Sequence, residues 1–258
     1  MLIKYTPLVL LGAVAGVLGG MLGIGGGTVI VPALIIICAM PHKIAQGTSL
    51  MCAALIAISG LLPYTIHEYI NYLYGIIISI GAVIGALVGS HIMKRTHTKI
   101  LKNIFVVLLI YVSANMIYSG LKGTDMNLFA VYDLSQHVIL MYSLLFGIGI
   151  LAGTLSGLLG IGGGMVMVPC MLAIGIGQKM AQGISLFCMI PTAVTGVIAQ
   201  RKAGNVDFKS GAIVGTSSVL FSIIGANITS VVDGNYLKMG FGIFMIFVAF
   251  MMSRTGNK

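Results

Sequence analysis

The pentapeptide Gly-Ile-Gly-Gly-Gly occurs twice in this chain, at residues 23–27 and 160–164, and each copy lies inside a long uncharged stretch. Consecutive glycines favour a break in a helix, and a break within a membrane leaves backbone amides without partners in lipid. Such a break is tolerated only where protein buries it or where it lines a cavity. The pentapeptides therefore predict two broken helices, and they are the first places to look for a binding site.

The composition is that of an integral membrane protein. Hydrophobic residues make up 58% of the 258 residues, charged residues make up 7%, and the mean hydropathy is +1.09. Eight apolar blocks cover residues 6–39, 44–66, 73–93, 103–121, 138–175, 180–199, 210–232 and 239–252. Six of these blocks are close to the length of one membrane span, about 20 residues. The first and the fifth are longer, and each holds a pentapeptide near its middle.

The pentapeptides belong to an internal repeat. Residues 16–32 align with residues 153–169, and 12 of the 17 aligned pairs are identical. A second block, Ala-Gln-Gly-Thr-Ser-Leu from residue 45, matches Ala-Gln-Gly-Ile-Ser-Leu from residue 181. Self-similarity of this kind indicates a duplicated structural unit. We therefore expect a first repeat at 1–121, a connecting loop at 122–136 and a second repeat at 137–258.

The charge distribution distinguishes parallel from inverted repeats, because cytoplasmic loops concentrate Lys and Arg. If each long block crosses the membrane once, seven basic residues lie on either side. If each long block returns to the side from which it entered, eleven lie on one side and three on the other. Two short crossings per long block give the same distribution. The apolar arm at 28–39 would be only about 18 Å long as a helix, against a hydrocarbon core of about 30 Å, which favours a re-entrant hairpin.

The expected fold is therefore an all-α polytopic membrane protein. It consists of two inverted repeats, each with a glycine-broken re-entrant helical hairpin plus three transmembrane helices. Both termini are expected in the cytoplasm.

Inverted repeats built around broken helices hold a binding site near the membrane midplane, where half-helix N-termini face anionic groups. Gln and Ser three residues apart in the second block share a helix face, and they can bind an oxyanion without burying a charge. We predict that the following residues bind substrate: Gly25, Gly26, Gly27, Thr28, Gln46, Ser49, Gly162, Gly163, Gly164, Met165, Gln182 and Ser185.

Two structural interpretations of these residues stay open. Small residues one turn apart let helices pack closely, and Gln and Ser side chains can link neighbouring helices by hydrogen bonds. We favour close packing for the glycines that are spaced by four residues, and a binding role for the pentapeptides. The spaced glycines are Gly12, Gly16, Gly20, Gly81, Gly85, Gly89, Gly149, Gly153 and Gly157.

The repeated motif resembles a known family. Gly-x-Gly-Gly-Gly-x-x-x-x-Pro occurs at 23–32 and 160–169, each time followed by Ala-Gln-Gly-x-Ser, as in the TauE/SafE family of sulfite and organosulfonate exporters. Gly-Asn-Val-Asp at 204–207 is similar to a Gly-x-Val-Asp segment of that family, whereas the first half has Glu-Tyr-Ile-Asn there, at 68–71. The resemblance implies an inner-membrane permease that exports small sulfur oxyanions, such as sulfite or sulfoacetate, without ATP. We expect a structural role for Pro32 and Pro169.

Other functions of the same architecture are a passive anion channel and a permease for a different small anion. Enzymatic activity is not expected, because the sequence has no HExxH or GxSxG motif and no paired carboxylates within its apolar blocks. The expected partners are the small anionic substrate and membrane lipid, without nucleic acid, metal or cofactor, and a homodimer is an option.

Overall fold

The computed structural model of the chain describes residues 5–92, 98–123, 137–159 and 162–254. These residues form ten helices: α1 (Thr6–Leu22), α2 (Gly27–Cys38), α3 (His42–Ile66), α4 (Tyr72–Ile92), α5 (Thr98–Lys122), α6 (Val138–Leu159), α7 (Gly164–Ala173), α8 (Gln178–Lys202), α9 (Phe208–Val231) and α10 (Gly234–Arg254). Each long apolar block is divided into two helices at its pentapeptide, and each shorter block forms one helix. The predicted helix breaks are confirmed.

Five helices of the described residues are long and apolar enough to cross a membrane, namely α3, α6, α8, α9 and α10. The arms α2 and α7 have 12 and 10 residues. At 1.5 Å per residue they are about 18 and 15 Å long, which is shorter than a hydrocarbon core of about 30 Å. The described residues contain no strand. The prediction of an all-helical, multi-pass membrane protein is thereby confirmed.

The two halves make matched contacts with each other. α1 packs along α9, and its equivalent in the second half, α6, packs along α4. A Cβ atom built on Gly16 would meet the backbone of Ser218, and one built on Gly153 would meet the backbone of Ala82. The same close approach to a neighbouring helix occurs at Gly12, Gly20, Gly81, Gly85 and Gly149. The packing role predicted for these glycines is confirmed, whereas Gly89 and Gly157 lie outside the residues whose packing the structure describes.

The central helices α3 and α8 run in opposite directions. Leu50, near the start of α3, lies beside Gly196, near the end of α8, and Leu186 lies beside Gly60 at the other end of the pair. Equivalent helices of the two halves are therefore antiparallel at the centre of the molecule.

α9 runs parallel to both α1 and α3. Along α1, Gly12 lies against Ser217 and Gly20 lies against Ser222. The hydroxyls of Ser59 on α3 and Ser222 are hydrogen-bonded at 2.6 Å, and further along the pair the Tyr64 hydroxyl donates to the Thr229 hydroxyl at 3.2 Å. Since α1 and α3 have the same direction, α2 must bring the chain back toward the end from which α1 started.

The segment at 204–207 begins a helix. The Asp207 carboxylate accepts hydrogen bonds from the backbone N–H groups of Lys209 and Ser210, and it thereby caps α9. At the equivalent place in the first half, the Asn71 side chain accepts from the N–H of Tyr74 at the start of α4. Asp and Asn are both favoured at this position. The two segments thus have the same capping role although their sequences differ.

Candidate functional site

The first break, at residues 23–26, joins α1 to α2 through left-handed backbone. Gly23, Gly25 and Gly26 have φ angles of 70°, 67° and 69°, a conformation that glycine adopts without steric cost. A Cβ atom built on Gly26 would lie 2.8 Å from both the Ala15 carbonyl oxygen and the Ile56 Cδ1 atom. Conformation and space therefore both require glycine here.

The second break precedes α7, and its described residues, Gly162 and Gly163, have the same left-handed backbone. Gly162 and Gly163 have φ angles of 82° and 77°, matching Gly25 and Gly26 in the first repeat. Gly160 and Ile161 lie outside the described residues. Neither α2 nor α7 has its N-terminus capped by a side chain. Two helix N-termini, each the positive end of a helix dipole, therefore begin directly after a glycine break.

The two breaks contact each other. A Cβ atom built on Gly164 would lie 2.7 Å from the carbonyl oxygen of Gly23 and 2.9 Å from the Cα atom of Ile24. The Ser185 hydroxyl donates to the Gly23 carbonyl at 2.7 Å, and Gly23 lies against the backbone of Gln182. The structure thus brings Gln182 and Ser185, predicted from the sequence, to the junction of the two breaks.

The junction lies deep within the bundle. Gly26 packs against Ile56 of α3, and both Gly25 and Gly162 pack against the side chain of Met189 on α8. Ile56 and Met189 are near the middle of helices that have 25 residues each. The arms α2 and α7 therefore begin about halfway along the central helices.

Two predicted site residues have buried polar atoms without hydrogen-bond partners in the structure. Gln182 is 0% exposed, and neither its amide nitrogen nor its amide oxygen is paired. Thr28, the second residue of α2, is 6% exposed and its hydroxyl is unpaired. An unsatisfied buried polar group costs about 1–3 kcal/mol, so such groups are rare unless they serve a function. Both side chains therefore have unused hydrogen-bonding capacity at the site.

Some of the other predicted residues lie in the same region. Gly27 and Gly164 are the first residues of α2 and α7, and Met165 is buried directly after Gly164. Gln46 and Ser49 are buried on α3, where the Ser49 hydroxyl donates to the Gln46 carbonyl at 2.8 Å. By the repeat, this pair corresponds to Gln182 and Ser185 of the second half.

Pro32 and Pro169 lie inside the short arms α2 and α7. Proline has no N–H, so the carbonyl four residues earlier loses its helical hydrogen bond. Those carbonyls belong to Thr28 and Met165, the second residue of each arm. The prolines therefore weaken the first turns of both arms next to the breaks.

Sequence reasoning missed Met189. Its side chain is fully buried, and its methyl group lies where Cβ atoms on Gly25 and Gly162 would project. An apolar side chain thus fills the space between the two breaks in this conformation. One signal could have identified it: Met189 follows Ser185 by four residues, so both lie on the same face of α8.

Comparison with known proteins gives consistent matches. The profile of the TauE family, described as sulfite exporter TauE/SafE, matches residues 2–116 and 145–258. A probable membrane transporter protein of Haemophilus influenzae is 31% identical over 94% of this chain and 96% of its own length. The probable membrane transporter protein YunE of Bacillus subtilis is 28% identical over 80% of this chain and 81% of its own length. A third, from Methanocaldococcus jannaschii, is 28% identical over 92% of this chain.

Proposed function

Because the chain belongs to the TauE/SafE family of membrane transporters, we propose that it exports a small sulfur oxyanion, sulfite or an organosulfonate such as sulfoacetate, from the cytoplasm. The observation that carries this proposal is the fully buried, unpaired amide of Gln182 beside the junction of two glycine breaks. An amide at that position can donate hydrogen bonds to an oxyanion.

The anion binds between the N-termini of α2 and α7. Backbone amides at a helix N-terminus bind oxyanions, and the helix dipole favours negative charge there. The nearest described neighbours of the breaks, such as Ala15, Ile56 and Met189, are uncharged. The site therefore attracts the anion through amides and the Thr28 hydroxyl. It needs no buried cation, whose desolvation would be costly.

The chain is an inner-membrane protein of two inverted repeats, 1–121 and 137–258, with both termini in the cytoplasm. The antiparallel pair α3 and α8 supports inversion, because helices that cross a membrane in opposite directions have inverted topologies. In the sequence, an inverted arrangement puts eleven basic residues on one side of the membrane and three on the other. That bias supports a cytoplasmic position for the basic side.

Transport requires the Met189 side chain to leave the space between the breaks. Met is unbranched and has three rotatable bonds, so its side chain can adopt other conformations. The membrane potential drives an anion outward from a negative cytoplasm by about 2.3 kcal/mol per charge per 100 mV. Export of an anion can therefore proceed on the potential alone.

The test is transport by the purified protein in proteoliposomes loaded with sulfite under an imposed inside-negative potential. We expect saturable sulfite efflux and counterflow, both reduced in Gln182→Ala. Flux without saturation or counterflow would identify a passive channel instead. Flux of another small anion but not of sulfite or sulfoacetate would identify a permease with a different substrate. Absence of flux for every anion tested would contradict the proposed function.

A further inference from the structure

A cavity of about 320 Å³ opens at the end of the bundle where α8 and α10 begin. It lies between the first turns of α8 and α10, and its polar lining includes Gln178, Lys179, Asp233, Asn235 and Lys238. None of the residues of this pocket was predicted as part of the central site.

Two polar residues of this lining are almost completely buried. Gln178 and Lys238 are each 4% exposed, and both amide atoms of Gln178 lack hydrogen-bond partners in the structure. Burying an unpaired amide such as that of Gln178 is costly unless it interacts with another group. An oxyanion in the pocket would accept hydrogen bonds from the Gln178 amide nitrogen and lie close to the Lys238 ammonium group.

The surrounding backbone also favours an anion. α8 begins at this pocket without a side-chain cap, so the positive end of its helix dipole lies beside it, whereas the Asp233 carboxylate already occupies the N-terminus of α10. Lys179 donates to the Ser230 carbonyl at 3.0 Å and adds a second positive charge to the rim. The one acidic group in the described lining, Asp233, accepts a hydrogen bond from the backbone N–H of Asn235 at 2.8 Å. Two lysines against one aspartate leave the pocket net positive.

The pocket is connected in sequence to the central site. Gln178 and Gln182 are four residues apart on α8, which sets them one turn apart on the same face. Both are buried with unpaired amides. Ser185, the next polar residue on that face, bonds to the Gly23 carbonyl at the junction of the breaks. Polar groups thus follow one face of α8 from the pocket to the central site.

We propose that the pocket lined by Gln178 and Lys238 is a second oxyanion site, which receives the anion after it leaves the central site. The identity of its ligand rests on the proposed function above. The pocket itself does not depend on that function, because its charge and its unpaired amide favour small oxyanions in general.

The test is calorimetric titration of the full-length protein in detergent with sulfite, and separately with sulfate. We expect two ions per chain in the wild type. Lys238→Gln and the near-isosteric Gln178→Glu should each remove or weaken one binding event by at least about tenfold, whereas Lys238→Arg retains it. Lys122→Gln is the matched control, since Lys122 is an exposed lysine near the same end, at the end of α5, and it should leave both events unchanged.

The two sites can be separated with Gln182→Ala, which should remove only the other binding event. Unchanged stoichiometry and affinity in folded Lys238→Gln and Gln178→Glu would overturn the second site. If those variants lose one binding event while Gln182→Ala loses none, the result supports the second site and contradicts the central site. Thermal unfolding of each variant identifies those that are folded. Lys238→Arg keeps both the positive charge and a long side chain, so it tests whether the charge is what the site requires.

Discussion

Gln182 combines complete burial with an amide that has no hydrogen-bond partner in the structure. Gln182→Ala therefore removes no internal hydrogen bond, so we expect any fall in the melting temperature to come only from the cavity that the shorter side chain leaves. A hydrogen bond to a charged ligand contributes about 1.5–3 kcal/mol, so the anion affinity should fall by about 10- to 100-fold. Binding of sulfite measured by calorimetry tests this.

The control for Gln182 is a glutamine of the same helix that already has a partner. The Gln200 side chain accepts a hydrogen bond from the Asn205 amide at 2.9 Å, near the end of α8. We expect Gln200→Ala to retain full anion affinity. Wild-type affinity in Gln182→Ala would remove this side chain from the site.

Met189 determines how much room there is between the breaks. Met189→Ala should enlarge that space and improve binding of sulfoacetate relative to sulfite. It should also lower the stability by about 2–5 kcal/mol, as is usual for a large-to-small change in a packed core. Met189→Leu keeps most of the volume and should preserve the wild-type preference. An unchanged ratio of the two affinities in Met189→Ala would show that this side chain does not limit the size of the anion.

At the level of the elements, the helix breaks depend on glycine for conformation as well as for space. We expect Gly26→Ala to lower the melting temperature, because alanine at a φ of 69° costs about 1–2 kcal/mol. Its methyl group would in addition lie 2.8 Å from the Ala15 carbonyl oxygen. The matched control is Gly147→Ala on α6, where a Cβ atom meets nothing within 4 Å. Equal melting temperatures for the two variants in detergent would contradict this account of the break.

The short arms explain why the breaks can face each other. α2 and α7 begin about halfway along the central helices and have 12 and 10 residues. A full-length helix at either place would carry its N-terminus past the centre of the bundle. Short arms, each weakened by a proline next to its break, instead leave both N-termini in the interior, and this arrangement is what the proposed site needs.

At the scale of the whole molecule, membrane orientation can be tested with two exposed lysines. Inverted repeats require Lys43 and Lys202 to lie on the same side, whereas parallel repeats with one net crossing per long block require opposite sides. In a background without native cysteines, Lys43→Cys and Lys202→Cys should react with a membrane-impermeant maleimide only after the cells are permeabilised. Glu68→Cys, at the opposite end of α3, should react in intact cells. Labelling of Lys43→Cys but not Lys202→Cys in intact cells would contradict inversion.

Much of the fold could be predicted because it depends on local properties of the sequence. The length of an apolar block indicates whether it can form a membrane-spanning helix, and consecutive glycines indicate where a helix ends. All ten described helices therefore fall within the predicted blocks or extend them by a few residues. The internal repeat identified which residues of the two halves correspond to each other. Gln182 and Ser185 were predicted for the same reason, because a polar pair recurs in otherwise apolar sequence.

The sequence by itself determined the class of protein, the positions of the helix breaks and the residue types at the site. Only the tertiary structure decided that the two breaks meet, that Met189 fills the space between them, and that Gln178 and Lys238 share a pocket. The physical reason is that apolar helices in a membrane protein carry little pattern to indicate which neighbour each will contact. The hydrogen bond between Ser185 and Gly23 joins residues 162 positions apart, and it arises only when two helices from different repeats pack together.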